Sequence, residues 1–177
     1  MPNFTAEDFK IEGTTITGLS EAGKEKLKDN GGVIDSFPPE ATAIGHHAFV
    51  DSGVAVIKDW GNITSIGYGA FFDGKSVSVL PDSWGKVEDI DESAFSLCDI
   101  STLPDSWGEV RSIGDLAFSQ NIITALPSSW GKVKYIGYFS FCDNMINTVP
   151  STDGVEFRGS FVFLDNPVTE PSYPPED

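Results

Sequence analysis

Leu103-Pro104-Asp105-Ser106-Trp107-Gly108-Glu109-Val110 leads through Ile113-Gly114 to Ala117-Phe118, and the chain then states the same phrase again. Leu126-Pro127-Ser128-Ser129-Trp130-Gly131 runs through Val133 and Ile136-Gly137 to Ser140-Phe141. Upstream stands a third copy, Leu80-Pro81-Asp82-Ser83-Trp84-Gly85, with Val87, Ile90 and Ala94-Phe95. Taken outward, the anchoring phenylalanines are Phe49, Phe71, Phe95, Phe118, Phe141 and Phe163, at intervals of 22, 24, 23, 23 and 22 residues. Self-similarity at a fixed period in this range is the mark of a solenoid, in which each repeat buries its apolar face only against its neighbours.

The columns of the repeat carry their own physics. A glycine-bearing pair precedes the phenylalanine in Ile44-Gly45, Ile66-Gly67, Ile113-Gly114 and Ile136-Gly137, and Ile90-Asp91 replaces it once. Three residues after each phenylalanine comes Ser52, Gly74, Cys98, Asn121, Asn144 or Asn166. Such a column suits an inward turn side chain that satisfies backbone groups, or that fills space at Cys98. Short β-rich pieces, Ile100-Ser101-Thr102-Leu103 and Ile123-Thr124-Ala125-Leu126, predict strands pairing in parallel from coil to coil, each ended by proline. A second set is predicted through Val110-Arg111-Ser112-Ile113 and its equivalents. The fold class is therefore a repeat solenoid, mainly β with turns, of right-handed coils of 22–24 residues with parallel strands.

The ends differ. Phe9, Ile11, Thr14 and Ile16 alternate about Glu12-Gly13, which predicts a hairpin; Ser20 can cap a helix running to about Asp29, stopped by Asn30-Gly31-Gly32. Residues 1–31 thus read as a cap whose inner face carries Leu19 and Leu27, and residues 32–168 as about six coils. The last coil has Asp153-Gly154 in place of Trp-Gly, and residues 169–177 read as a proline-rich acidic linker.

Composition narrows the partners. Of 177 residues 40% are apolar, enough for a core, and 27 acids against 11 bases give a formal charge of -16. A polyanion of this sign is a poor ligand for nucleic acid or an anionic membrane, and no apolar run approaches a membrane span. Two cysteines in different phases of the repeat predict separate buried thiols and no disulfide framework.

The Ile-Gly-x-x-Ala-Phe phrase, the Leu-Pro-x-Ser before it and the opening segment from Gly13 resemble the BspA-like leucine-rich repeats of bacterial surface proteins, from about Phe9 to Val168. The resemblance implies a secreted or surface-anchored, non-catalytic module, with host matrix or other cell-surface proteins, or a glycan, as partners. The Trp-Gly-x-Val turn departs from the usual pattern of that family. No Leu-Pro-x-Thr-Gly anchor occurs in this stretch, and neither signal nor anchor is expected within it.

Two surfaces are candidates for binding. Trp60, Trp84, Trp107 and Trp130 recur once per coil. They either pack across the turn or form an aromatic strip for a sugar chain or a protein. Ser78, Ser101, Thr102, Thr124, Asn147 and Thr148 are small and polar, and would make a flat strand face suited to an extended partner, or a merely solvated one. Asp51, Asp73, Asp143 and Asp165, two residues after the phenylalanines, fit turns closed through their own backbone. One carboxylate per coil falls short of the six to eight oxygens calcium takes. His46-His47 lack partner spacing for a metal, and no nucleophile is placed beside them, so neither metal, cofactor nor catalytic group is expected. A structural spacer displaying other domains is the competing functional reading.

Overall fold

The isoleucine that precedes each glycine pair sits on a two-residue strand, and these strands stack into the main sheet. In a computed structural model that describes residues 3–73 and 77–168, the ten strands are β1 (Phe9–Glu12), β2 (Thr15–Leu19), β3 (Val33–Ile34), β4 (Ala43–Ile44), β5 (Val56–Ile57), β6 (Ser65–Ile66), β7 (Asp89–Ile90), β8 (Ser112–Ile113), β9 (Tyr135–Ile136) and β10 (Glu156–Phe157). Eight of them form one sheet in the order β1-β2-β4-β6-β7-β8-β9-β10. From β2 onward all pairings are parallel, and Ile16, Ile44, Ile66, Ile90, Ile113, Ile136 and Phe157 lie in register. Coil rise leaves no room beside this ladder: a Cβ on Gly67 would come within 2.8 Å of the Ile44 carbonyl oxygen.

The β-rich pieces before the prolines behave differently. β3 pairs with β5, and Val56 bridges Val79, but Ile100–Leu103 and Ile123–Leu126 join no ladder. The predicted first set of strands thus stops after the third coil, and the second set carries the sheet. Proline removes one donor from each such pairing, although beside Pro81 the Val56–Val79 bridge still forms. Lys58 N–H donates to the Ile34 carbonyl at 3.0 Å, while the residue in register is Pro81, then Pro104, Pro127 and Pro150, none with an N–H to give.

Inside, the anchoring phenylalanines form a single file. Ring centroids are 5.1 Å apart for Phe49–Phe71, 5.2 Å for Phe71–Phe95, 5.4 Å for Phe95–Phe118 and 5.3 Å for Phe118–Phe141, with planes within 10° of parallel. A second file, Phe37-Trp60-Trp84-Trp107-Trp130, runs beside it at 5.8–6.0 Å. The two files meet edge to face, as in Trp60–Phe71 at 69°. Each such ring removes a large apolar surface from water, and the offset and edge contacts add to that burial.

The first coil is closed by the hairpin and a helix. α1 (Glu21–Asp29) begins where Ser20 Oγ accepts the Gly23 N–H at 3.1 Å. It ends as Gly31 and Gly32 take positive φ and Gly32 N–H reaches the Leu27 carbonyl at 2.9 Å. Leu19 and Leu27 are buried beneath it. Asp8 is buried too, bound by Lys26 Nζ at 2.6 Å and by the Thr5 N–H at 2.7 Å. Burial works against its charge, but Lys26 and Thr5 outweigh it and hold the carboxyl below its ordinary pKa.

Candidate functional site

The four tryptophans belong to the interior. Trp60, Trp84, Trp107 and Trp130 are between 0% and 3% exposed, so no ligand can stack on them, and the aromatic strip is corrected to a packing column. The turn after each indole explains this placement: Gly61, Gly85, Gly108 and Gly131 all adopt φ of 56–59°, folding the chain so the preceding ring points inward. Sequence reasoning missed Phe37 as the fifth member of the file. It stands 12 residues before its phenylalanine where each tryptophan stands 11 before its own.

The column after the phenylalanines acts as a ladder of side-chain bonds. Asn121 Oδ1 accepts the Ile100 N–H at 3.0 Å, while its Nδ2 donates to the carbonyls of Phe95 at 2.8 Å and Phe118 at 3.0 Å. Asn144 repeats this with Ile123, Phe118 and Phe141, and Asn166 with Ile146, Phe141 and Phe163. Cys98 was expected to fill space alone, yet its Sγ donates to the Phe71 carbonyl at 3.0 Å. Cys142 is buried elsewhere; burial, then Asp143 and Asp165, push its thiol up to about 11, which keeps it protonated. Gly74 falls outside the described residues.

The aspartates after the phenylalanines do not close their turns with their carboxylates. Asp51, Asp73, Asp143 and Asp165 have φ of 51–56°, and none of their carboxylates accepts a backbone N–H of its own turn among the described residues, although Asp143 Oδ2 accepts from Cys142 Sγ at 3.9 Å. The whole column is left-handed, Leu97 and Gln120 included, and Asp bears that conformation better than most residues. Among the described residues no three His, Cys, Asp or Glu side chains converge as a metal set. His46 and His47 instead lie edge-on to Tyr68 at 6.1 and 4.9 Å.

Of the polar candidates, the structure brings Ser101, Thr102 and Thr124 together. They line an open groove of about 410 Å³ with Leu103, Pro104, Asp105, Ala125, Leu126, Pro127 and Ser128. Ser78, Asn147 and Thr148 occupy equivalent positions in the flanking coils and do not line it. Except for half-buried Ser78, these candidates are exposed; Ser78 adjoins the Val56–Val79 bridge, and the others lie in segments outside any sheet.

A second furrow, of about 420 Å³, crosses the main sheet along Thr15, Ala43, Ser65, Asp89 and Ser112. The sequence held a signal for it, the small or polar residue before each isoleucine of the predicted second strand set, which sequence reasoning did not single out as a surface. Burial, and then Glu88 beside it, raise the Asp89 carboxyl above its ordinary pKa, with Arg111 opposing and Asp91 adding to the effect.

This repeating constellation has relatives. A family model of the BspA type leucine rich repeat region matches residues 42–170 in six copies. The chain belongs to that family. Among solved structures, a leucine-rich repeat protein from Bacteroides ovatus ATCC 8483 is similar to this BspA-type chain, at 25% identity and a TM-score of 0.55. The match covers 86% of this chain and 38% of that one, so the BspA-type array here spans under two fifths of its relative's length. No curated protein is similar to it. No helix among the described residues is long and apolar enough to cross a membrane.

Proposed function

We propose that this chain is a non-catalytic recognition module of a bacterial surface protein, working outside the cell and binding a protein partner along an extended solenoid face. The observation that carries this reading is the separation of roles around each coil. Aromatic, isoleucine and asparagine columns are spent on the interior, while Ser101, Thr102, Thr124, Asn147 and Thr148 repeat on the outside. Surfaces of this kind bind by many modest contacts along the array. Family membership supports the location, because BspA-type proteins are typically secreted or surface-anchored.

Burial of the four indoles removes the surface on which a carbohydrate module would rely. The continuous ring files also suit a stiff spacer that displays other domains. The immobilised chain, tested against a panel of extracellular-matrix proteins and a glycan array, separates these readings. Saturable binding of a protein, weakened by Thr102→Arg or Thr124→Arg with unchanged melting, is expected. Absence of any protein ligand favours the spacer, and glycan binding alone overturns the partner class.

A further inference from the structure

One flank of the array is zipped in the first coils and open in the later ones. After Val79 the prolines remove one donor per coil, and the remaining donors of these segments are not paired between coils either. Along Ser101–Leu103 and Thr124–Leu126, neither the N–H groups nor the carbonyls bond to any described residue. Only the flanking positions are tied, Ile122 N–H to the Ile100 carbonyl at 3.0 Å and Met145 N–H to the Ile123 carbonyl at 2.9 Å. Two extended segments therefore run side by side with unpaired backbone, and the groove lies along them.

A surface with main-chain donors and acceptors in extended array is what an added strand uses, with side-chain contacts setting its specificity. The lining states the rest of the occupant's chemistry. Half-buried Leu103 and Leu126 offer apolar contact, and Asp105 is the one charged group of the lining. Asp82 holds the same repeat position one coil earlier, and Asp99 lies two residues before Ser101. All three carboxylates are exposed and form no ion pair among the described residues. The bases of these coils, Lys86, Arg111, Lys132 and Lys134, follow the tryptophan turns and are not part of the lining.

We propose that the open flank of Ser101–Asp105 and Thr124–Ser128 docks an extended polypeptide segment that alternates basic and apolar side chains. It rests on the recognition reading and names the partner's local chemistry. The segment's main chain pairs with the unzipped backbone, its apolar residues meet Leu103 and Leu126, and its Lys or Arg side chains face Asp82, Asp99 and Asp105.

The test is an amide-resolved NMR titration of the whole chain with a synthetic ten-residue peptide of alternating lysine and valine. A glutamate–valine peptide and chitohexaose serve as comparison probes. Shifts confined to residues 100–105 and 123–128 are expected, with affinity falling at least tenfold in Ala125→Arg and in the Asp82→Lys/Asp105→Lys double variant. Both changes lie on exposed positions, and an unchanged melting curve certifies the fold. Absent binding, shifts spread over acids elsewhere such as Asp51 and Asp165, or equal binding of the glutamate peptide or the oligosaccharide would overturn the proposal. Any protein ligand from the matrix panel is then measured on Ala125→Arg. A ligand retained there sinks the groove but leaves the recognition reading standing, whereas a panel without a protein ligand sinks both.

Discussion

A single indole shows how tightly the interior is specified. Trp107 lies between Trp84 and Trp130 at 6.0 and 5.8 Å and meets Phe118 and Phe141 at its edge. Truncation to alanine opens a cavity in a stack held from both sides, so Trp107→Ala should cost ~3 kcal/mol or more in chemical denaturation. Trp107→Phe should cost far less, for two structural reasons. Phe37 already continues the same file, and the Nε1 of each of the four indoles finds no hydrogen-bond acceptor among the described residues, so a phenyl ring gives up no bond there. Equal losses in the two variants would contradict this. Asn144 is the polar counterpart: Asn144→Ala leaves the buried Ile123 N–H without its partner, while the Phe118 and Phe141 carbonyls keep Asn121 and Asn166, at a cost of about 1–3 kcal/mol. Asn144→Cys, the residue that coil three uses, should lose less in the same melt.

At the scale of the element, the phenylalanine file and the isoleucine strands were legible because identity itself repeats at those positions. What the sequence did not make legible were features set by geometry between coils. Leu-Pro reads as the end of a strand, but proline in every later coil also removes one donor of the pairing, and beyond the Val56–Val79 bridge the segments do not pair. The aspartate column reads as a polar turn, whereas what its members share is a left-handed backbone, which Leu97 and Gln120 adopt at the same position. Of the binding candidates, Ser101, Thr102 and Thr124 could be gathered from repeat phase alone; the tryptophans' inward direction depended on a left-handed glycine beside each ring. The cap is the element that responds to pH. A carboxyl with a depressed folded pKa adds stability that is complete above its unfolded value of about 3.9 and is lost as pH falls through the folded one. Asp8→Asn should therefore cost about 1.5–3 kcal/mol at pH 7, from its bonds to Lys26 and Thr5. The gap to the parent chain should close in melts below about pH 4. A gap that persists in acid would place the contribution of Asp8 in packing and not in charge.

For the whole molecule, nearest-neighbour contact means that coils are interchangeable in principle. Residues 101–123 begin and end at the same phase of the repeat, so inserting a second copy after Ile123 should extend the array by one coil of about 4.8 Å. Small-angle scattering should record the longer particle, and the melting temperature should rise, since one more interface is added to a nearly additive sum. A duplicated chain that melts lower, or that exposes its indoles to iodide quenching, would show that coils four and five are matched to each other individually.

The two flanks of the array also bond in opposite senses. On the sheet flank a later coil donates to an earlier one, as Gly67 N–H does to Ile44; on the flank of the phenylalanine turns an earlier coil donates to a later one, as Phe49 N–H does to Ala70. Peptide dipoles on the two sides therefore point in opposite directions along the axis and largely cancel. Unlike an α-helix, whose aligned peptides sum to about half a charge at each end, this array gains little end-to-end dipole from its backbone, and its long-range field is written chiefly by side chains.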